Sequence, residues 1–119
     1  MNRRQFFGNA GEDAACAYLL KKGWKILDRN VRRGRNEIDI IAQNRGILAF
    51  IEVKTRSGMA YGRPAEAVNT EKQRRIIQAA ALYLQENGLS EANIRFDVIE
   101  ILPGELRHIE AAFDATDFF

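Results

Sequence analysis

Asp39, Glu52 and Lys54 are the residues of this chain whose types and spacing are best suited to chemistry. Two carboxylates that face each other repel, and a divalent cation between them converts that repulsion into attraction. Oxygen ligands favour Mg²⁺ or Mn²⁺ over softer metals, and the carbonyl of Val53 is a further oxygen ligand. The ammonium of Lys54 beside such a cation would orient a water or neutralise charge on a phosphate, as phosphodiester hydrolysis requires.

A β-hairpin is the element that would bring these side chains together. Residues 37–43 and 47–56 are rich in Ile, Val and Phe, and a polar turn ending in Gly46 separates them. With this turn, Asp39 faces Glu52 and Glu37 faces Lys54, so that Glu37 neighbours the site without being a ligand. Because side chains alternate along a strand, the opposite face is wholly apolar. That face consists of Ile38, Ile40, Ala42, Ala49, Ile51 and Val53.

The same spacing also fits an arrangement without chemistry. Glu37 and Lys54 would then form a cross-strand ion pair, and Asp39 and Glu52 would lie at a solvated strand end. A slip of one residue in the hairpin register would also move Asp39 to the other face. Spacing alone leaves these alternatives open.

Two helices are predicted, one on each side of the hairpin in the sequence. The first covers residues 8–23, with Glu12 and Asp13 in its first turn, where negative charge suits the helix dipole. The second begins after Thr70 as N-cap and continues to residues 87–88, with a broad apolar face that includes Leu82. Between the hairpin and this helix, a loop is predicted over residues 57–63 and a short helical turn over residues 65–68.

Three further strands complete the prediction. One begins near Trp24, and two follow the second helix over residues 94–102 and 106–113. The order is helix, three strands, helix, two strands. It predicts an α/β or α+β fold in which helices flank a mixed central sheet of about five strands.

The composition describes an ordinary folded protein and excludes several classes of site. With 119 residues, 46% hydrophobic and 29% charged, the chain fits one domain over residues 1–119. The longest apolar runs are far short of a membrane span and no signal segment opens the chain, so a cytoplasmic location is expected. A single histidine, His108, and a single cysteine exclude most zinc sites and any histidine-pair mechanism.

Positive charge is concentrated near the hairpin, although the net charge is only +2. We expect phosphate contacts from Arg33 and Arg35 before the acidic strand, from Arg56 after its partner, and from Lys72 in the second helix. A solvated helix face is the alternative for the cations near Lys72.

Two segments of the hairpin resemble the core of the PD-(D/E)xK nuclease superfamily: Asn36-Glu37-Ile38-Asp39 and Ile51-Glu52-Val53-Lys54. Within it, the chain resembles the YraN family of bacterial proteins, and the likeness extends to Gly11-Glu12, Tyr61-Gly62-Arg63-Pro64 and Arg95-Phe96-Asp97-Val98. One departure is Asn36, where the family commonly has Gly. Asn tolerates a left-handed backbone, so the turn can be kept.

The resemblance implies a restriction-endonuclease-like fold, metal binding by Asp39 and Glu52, and a catalytic role for Lys54. Related archaeal Holliday-junction resolvases add an acidic residue from the first helix, which points to Glu12 as a further metal ligand. A carboxylate that only stabilises the helix N-terminus is the alternative for Glu12.

The leading functional hypothesis is therefore a Mg²⁺- or Mn²⁺-dependent nuclease acting on DNA, with branched or processed structures suggested by analogy. A two-fold homodimer is expected if a junction is cut, because two strands must then be cleaved. The alternative is a non-catalytic module that binds nucleic acid or assembles with proteins and only retains the fold.

Overall fold

Two helices and five strands follow one another in the computed structural model, which describes residues 10–56 and 68–116. The predicted loop over residues 57–63, the motif at residues 61–64 and most of the predicted turn over residues 65–68 lie outside the described residues. The predicted order of elements is confirmed. In chain order the elements are α1 (Ala10–Lys21), β1 (Lys25–Arg33), β2 (Asn36–Asn44), β3 (Ile47–Thr55), α2 (Thr70–Glu86), β4 (Asn93–Leu102) and β5 (Glu105–Phe113).

All five strands form one mixed sheet in the order β1-β2-β3-β4-β5. Neighbouring strands are antiparallel except β3 and β4, which are parallel and need a long connection that includes α2. The predicted hairpin register is confirmed, because Ile41 pairs with Phe50 and Ile40 with Ile51. The backbone pairing of β2 with β3 ends at Ile40 and Ile51. Beyond these residues the two backbones are no longer hydrogen-bonded to each other, so side chains can lie between them.

Apolar clusters lie on both faces of the sheet, each beneath one helix. On the α1 face, Leu19 and Trp24 pack against Ile40, Ile51 and Ile99. On the α2 face, the buried cluster includes residues from α2 and from the strands, among them Ile76, Tyr83, Phe50, Phe96 and Val98. The expected helices on both sides of a mixed sheet are therefore confirmed.

Ile38 departs from the predicted alternation. It belongs to the cluster beneath α2, whereas Ile40 belongs to the cluster beneath α1. Ile38 still pairs with Val31 of β1, which belongs to the same cluster, and Asn30 just before Val31 has φ 53°, so the change of face coincides with a local departure from extended backbone in β1. Asn36 is not among the described residues with positive φ, and Gly34 in the preceding turn has φ 64°. The missing family glycine therefore needs no left-handed substitute at this position.

The start of α2 differs from the prediction by one residue. Asn69, rather than Thr70, is the N-cap, and its side chain accepts a hydrogen bond from the backbone N–H of Lys72 at 2.8 Å. Leu82, predicted on the apolar face, is 44% exposed. Within the described residues, no helix combines the length and apolarity needed to cross a membrane.

Candidate metal and phosphate site

Asp39 and Glu52 meet where β2 and β3 separate. Oδ2 of Asp39 accepts a hydrogen bond from the backbone N–H of Val53 at 2.8 Å, so the carboxylate fills the gap left by the backbone ladder. Glu52 is only 4% exposed, which does not fit a solvated strand end. Burial, a hydrogen bond with Glu52 and the charge of Glu52 raise the pKa of Asp39 to about 9, against the opposing effect of Val53 N–H. Such a shift is typical of two carboxyl groups held together without a cation.

Glu12 approaches this pair from the first turn of α1. Its pKa is raised, mainly by burial and also by the charges of Glu37 and Glu52, while Arg29 and a hydrogen bond with Asn30 oppose the shift. Oε1 of Glu12 is buried and has no hydrogen bond among the described residues, although Nη2 of Arg29 lies 3.7 Å away. A buried oxygen without a hydrogen bond is costly, so it is available to a ligand that brings positive charge.

Gly11 explains how the first turn of α1 can lie so near the end of β3. A Cβ at this position would lie 2.2 Å from Oγ1 of Thr55, closer than any side chain permits. Only glycine allows the helix to approach the strand at this distance. The motif Gly11-Glu12 therefore places a carboxylate beside the Asp39–Glu52 pair.

The chemistry of these donors fits a hard divalent cation such as Mg²⁺ or Mn²⁺. Asp39 and Glu52 supply paired carboxyl oxygens, and Glu12 supplies an oxygen that has no hydrogen bond among the described residues. No three acidic, histidine or cysteine side chains are already gathered at ligand distance within residues 10–56 and 68–116. The Asp39–Glu52 pair is thus the centre of the site, and Glu12 stands at its edge.

Two lysines flank Glu52. Lys54 follows it by two residues on the same face of β3 and has no ion pair among the described residues. Lys72, in the first turn of α2, places Nζ 3.1 Å from Oε2 of Glu52. The sequence predicted Lys72 as a phosphate contact, and the structure also makes it the counter-charge of a buried carboxylate.

The structure distributes the other predicted residues unevenly. Glu37 accepts a hydrogen bond from Arg32 at 2.7 Å rather than pairing with Lys54. Arg35 is exposed in the turn between β1 and β2. Arg33 bonds to Glu86, which lies 14 residues after Lys72 in α2 and therefore about 21 Å along the helix axis. The structure does not bring Arg33 to the carboxyl pair.

Glu100 is a buried carboxylate near the site that the sequence analysis missed. It lies on β4 as the pairing partner of Lys54, is 1% exposed, and accepts a hydrogen bond from Nε of Arg56 at 2.6 Å. The alternation that places Phe96 and Val98 on one face also places residue 100 there. The signal in the sequence that could have identified this residue is a glutamate at a strand position whose neighbours on the same face are apolar.

Asp97, in the motif shared with the YraN family, belongs to a different network on the α1 face. It accepts hydrogen bonds from Arg95, from the backbone N–H of Ala111 and from Nε2 of His108, and Nδ1 of His108 contacts the hydroxyl of Tyr18. These partners hold the pKa of Asp97 below its usual range although burial raises it. This carboxylate supports the fold and is separate from the Asp39–Glu52 pair.

Comparison with known sequences gives a family for the chain. A model of the uncharacterised protein family UPF0102, the family that the YraN motifs indicate, matches residues 11–101. A UPF0102 protein of Symbiobacterium thermophilum is 48% identical over 120 residues, which cover 97% of this chain and 100% of the relative. A UPF0102 protein of Persephonella marina is 40% identical, over 90% of this chain and 92% of the relative.

Comparison with solved structures gives the fold. The chain is similar to Hjc, a Holliday junction resolvase from the archaeal hyperthermophile Archaeoglobus fulgidus, with a TM-score of 0.54. The two are 19% identical, and the match covers 89% of this chain and 78% of the resolvase. At this identity the likeness establishes the architecture, and the predicted restriction-endonuclease-like fold is confirmed.

Proposed function

The chain belongs to the uncharacterised protein family UPF0102, and from this premise we propose that it is a divalent-metal-dependent nuclease that acts on DNA. The observation that carries the proposal is the pair of Asp39 and Glu52, held in contact where β2 and β3 separate. A protein without a ligand for this pair gains nothing from holding two carboxyl groups together, one buried and one partly buried.

Asp39, Glu52, the carbonyl of Val53 and Glu12 are the groups that would hold Mg²⁺ or Mn²⁺. When bound, the cation supplies Lewis-acid polarisation of the scissile phosphate. Lys54 stabilises the negative charge that develops on the phosphate and orients the attacking water. Lys72 balances the charge of Glu52.

Cationic side chains around the pair support binding of a phosphate backbone. Arg35 is exposed on the turn before β2, and Arg56 follows Lys54 at the end of β3. Phosphate contacts position a nucleic acid without reading its sequence. We assign Arg35, Arg56 and Lys72 to this role, and Glu37 to the surroundings of the site, where it pairs with Arg32.

Branched DNA is the substrate that we propose, since a solved structure with a similar fold is a Holliday junction resolvase. Cutting a junction requires two active sites that act on two strands, and a two-fold homodimer supplies them. The proposal of a junction substrate rests on analogy of fold, so it is tested together with linear DNA.

The test is hydrolysis of labelled linear duplex and four-way-junction DNA with Mg²⁺, Mn²⁺ or EDTA. Wild type and the control Lys22→Met, at the opposite end of the sheet, should cut in metal and not in EDTA. Asp39→Asn, Glu52→Gln and Lys54→Met should each lose activity by about a hundredfold or more.

Calorimetric titration of Mn²⁺ into the same proteins separates metal binding from catalysis. Binding should be lost in Asp39→Asn and Glu52→Gln and kept in Lys54→Met, because Lys54 is not a ligand. Absence of metal binding to wild type, even with DNA present, would overturn the proposal and leave a non-catalytic binding or assembly module. Cleavage that persists in both carboxylate variants would overturn it as well.

A further inference from the structure

Glu100 is buried more completely than stability alone explains. It is 1% exposed, and its Oε1 has no hydrogen-bond partner among the described residues, although Oε2 is bonded to Arg56. A buried ion pair gives little net stability, because desolvation offsets the attraction between the charges. An acidic group kept at this position therefore suggests a task beyond packing.

Cations surround Glu100 on both neighbouring strands. Lys54 on β3 and Arg107 on β5 are its direct pairing partners, so the three side chains lie in a row on the α2 face of the sheet. Arg56 contacts Oε2 at 2.6 Å, and Nη1 of Arg107 lies 3.9 Å from Oε1. Arg107 also pairs with Glu105 at 3.1 Å.

Arg107 is placed to meet a ligand that lies over this row. Its side chain is 43% exposed, whereas Glu100 beneath it is almost inaccessible. Two strand spacings separate Arg107 from Lys54, which is about 10 Å. A polyanion bound at Lys54 would therefore extend to Arg107 without leaving the face of the sheet.

We infer that Lys54, Arg56 and Arg107 form a phosphate-binding row oriented by Glu100, which continues the proposed active site across β4 to β5. In this arrangement Arg107 contacts a phosphate of the DNA strand next to the cleaved bond. Glu100 is a positioning residue that fixes the direction of the Arg56 guanidinium by a hydrogen bond and attracts that of Arg107, which Glu105 also holds by hydrogen bonds. The inference rests on the proposed function and adds the path of the substrate.

The first experiment measures DNA binding by Arg107→Gln, using fluorescence anisotropy of a labelled linear duplex in EDTA over a range of salt concentrations. Arg45→Gln is the matched control, because Arg45 is exposed at the hairpin turn, more than about 20 Å away along β3. Arg107→Gln should weaken binding several-fold and reduce the slope of log K against log salt by about one unit. Arg45→Gln should leave both unchanged.

The second experiment asks whether Glu100→Gln strengthens or weakens DNA binding. Removing a carboxylate near DNA strengthens binding if only long-range charge matters. If Glu100 orients Arg56 and attracts Arg107 into the row, binding instead weakens, although the protein has become more positive. Urea denaturation of each variant confirms that the measured protein is folded, and the exposed Arg107 provides an answer even if Glu100→Gln is unstable.

The outcomes separate this inference from the proposed function. If wild type binds and cuts DNA, and Arg107→Gln behaves like Arg45→Gln, the row is wrong and the nuclease proposal stands. Unchanged or tighter DNA binding by Glu100→Gln would show that Glu100 does not have the proposed positioning role. If wild type binds no DNA, the proposed function and the row are both overturned.

Discussion

Asp39 is held in a condition that is poor for stability and useful for ligand binding. Its carboxyl group contacts Glu52, and burial together with that contact raises its pKa to about 9. Groups at a functional site that oppose each other commonly lower the stability of the protein while serving its function. At the scale of single residues, a substitution of Asp39 should therefore raise the stability of the protein and lower its affinity for the metal.

Asp39→Asn should stabilise the metal-free protein by about 1 kcal/mol at neutral pH, because the amide is neutral without taking up the proton that Asp39 must bind on folding, and it keeps an acceptor for Val53 N–H. Urea denaturation in EDTA at neutral pH measures the difference. The same variant should not bind Mn²⁺. A destabilised Asp39→Asn protein would contradict the view that the two carboxyl groups oppose each other.

Asp97 should have the opposite character, because its partners favour the ionised form. Its pKa in the folded protein is lowered, whereas the pKa of an unfolded aspartate is about 3.9. The stability that it contributes is therefore fully present above about pH 4 and is lost as the pH falls through the lower folded value. Asp97→Asn should cost about 3 kcal/mol at pH 7, since it breaks a buried pair with Arg95.

Urea denaturation at pH 7 and pH 3 measures this effect, and the difference between wild type and Asp97→Asn should shrink at the lower pH. Asp114→Asn is the control, because Asp114 is exposed and only accepts a bond from Thr116 N–H. Its effect should stay within about 0.5 kcal/mol. A cost of Asp97→Asn that is independent of pH would contradict the electrostatic explanation.

At the scale of elements, the N-cap of α2 positions Lys72. The side chain of Asn69 accepts the backbone N–H of Lys72, whose own side chain reaches Glu52. Asn69→Ala should therefore destabilise the protein by about 1 kcal/mol, whereas Thr70→Ala should have less than half that effect. Thermal denaturation compares the two variants. Equal effects, or a larger one at Thr70, would contradict the assigned cap.

The contact between α1 and β3 can be tested with a double-mutant cycle. Gly11→Ala should cost about 1 to 3 kcal/mol, because the new Cβ overlaps Oγ1 of Thr55. In a Thr55→Ala background the same change should be nearly neutral, since alanine is a better helix former than glycine. Urea denaturation of the four proteins gives the coupling energy. A coupling near zero would show that α1 does not depend on this close approach.

At the scale of the whole molecule, the candidate site joins four elements that are distant in sequence. Glu12 comes from α1, Asp39 from β2, Glu52 from β3 and Lys72 from α2. A cation that binds the three carboxyl groups together stabilises the folded state, because the unfolded chain cannot gather them. Metal binding should therefore increase the free energy of unfolding of the whole protein.

Mn²⁺ at about a hundred times its dissociation constant should add about 2.7 kcal/mol to the free energy of unfolding. Thermal denaturation with and without the ion measures the gain, which should vanish in Asp39→Asn and persist in Lys22→Met. A gain of equal size in Asp39→Asn would place the bound ion elsewhere on the protein.

The amino-acid sequence by itself determined the elements and the facing of Asp39 and Glu52. Alternation of apolar residues and the turn at Gly46 act over a few residues, so they specify a hairpin register that the structure confirms. The predicted N-cap of α2 was wrong by one residue, because Asn69 and Thr70 are both good caps. Local chemistry does not choose between two neighbouring residues of similar capping strength.

Only the tertiary structure decided the sheet order and which charges meet. The parallel pairing of β3 with β4 places Glu100 beside Lys54, and the path of α2 brings Lys72 to Glu52 and Glu86 to Arg33. These contacts join residues up to 53 positions apart, and the chain between them carries no local signal of the distance. Long-range register and helix packing set them, because burial of both apolar faces of the sheet fixes where each helix crosses it.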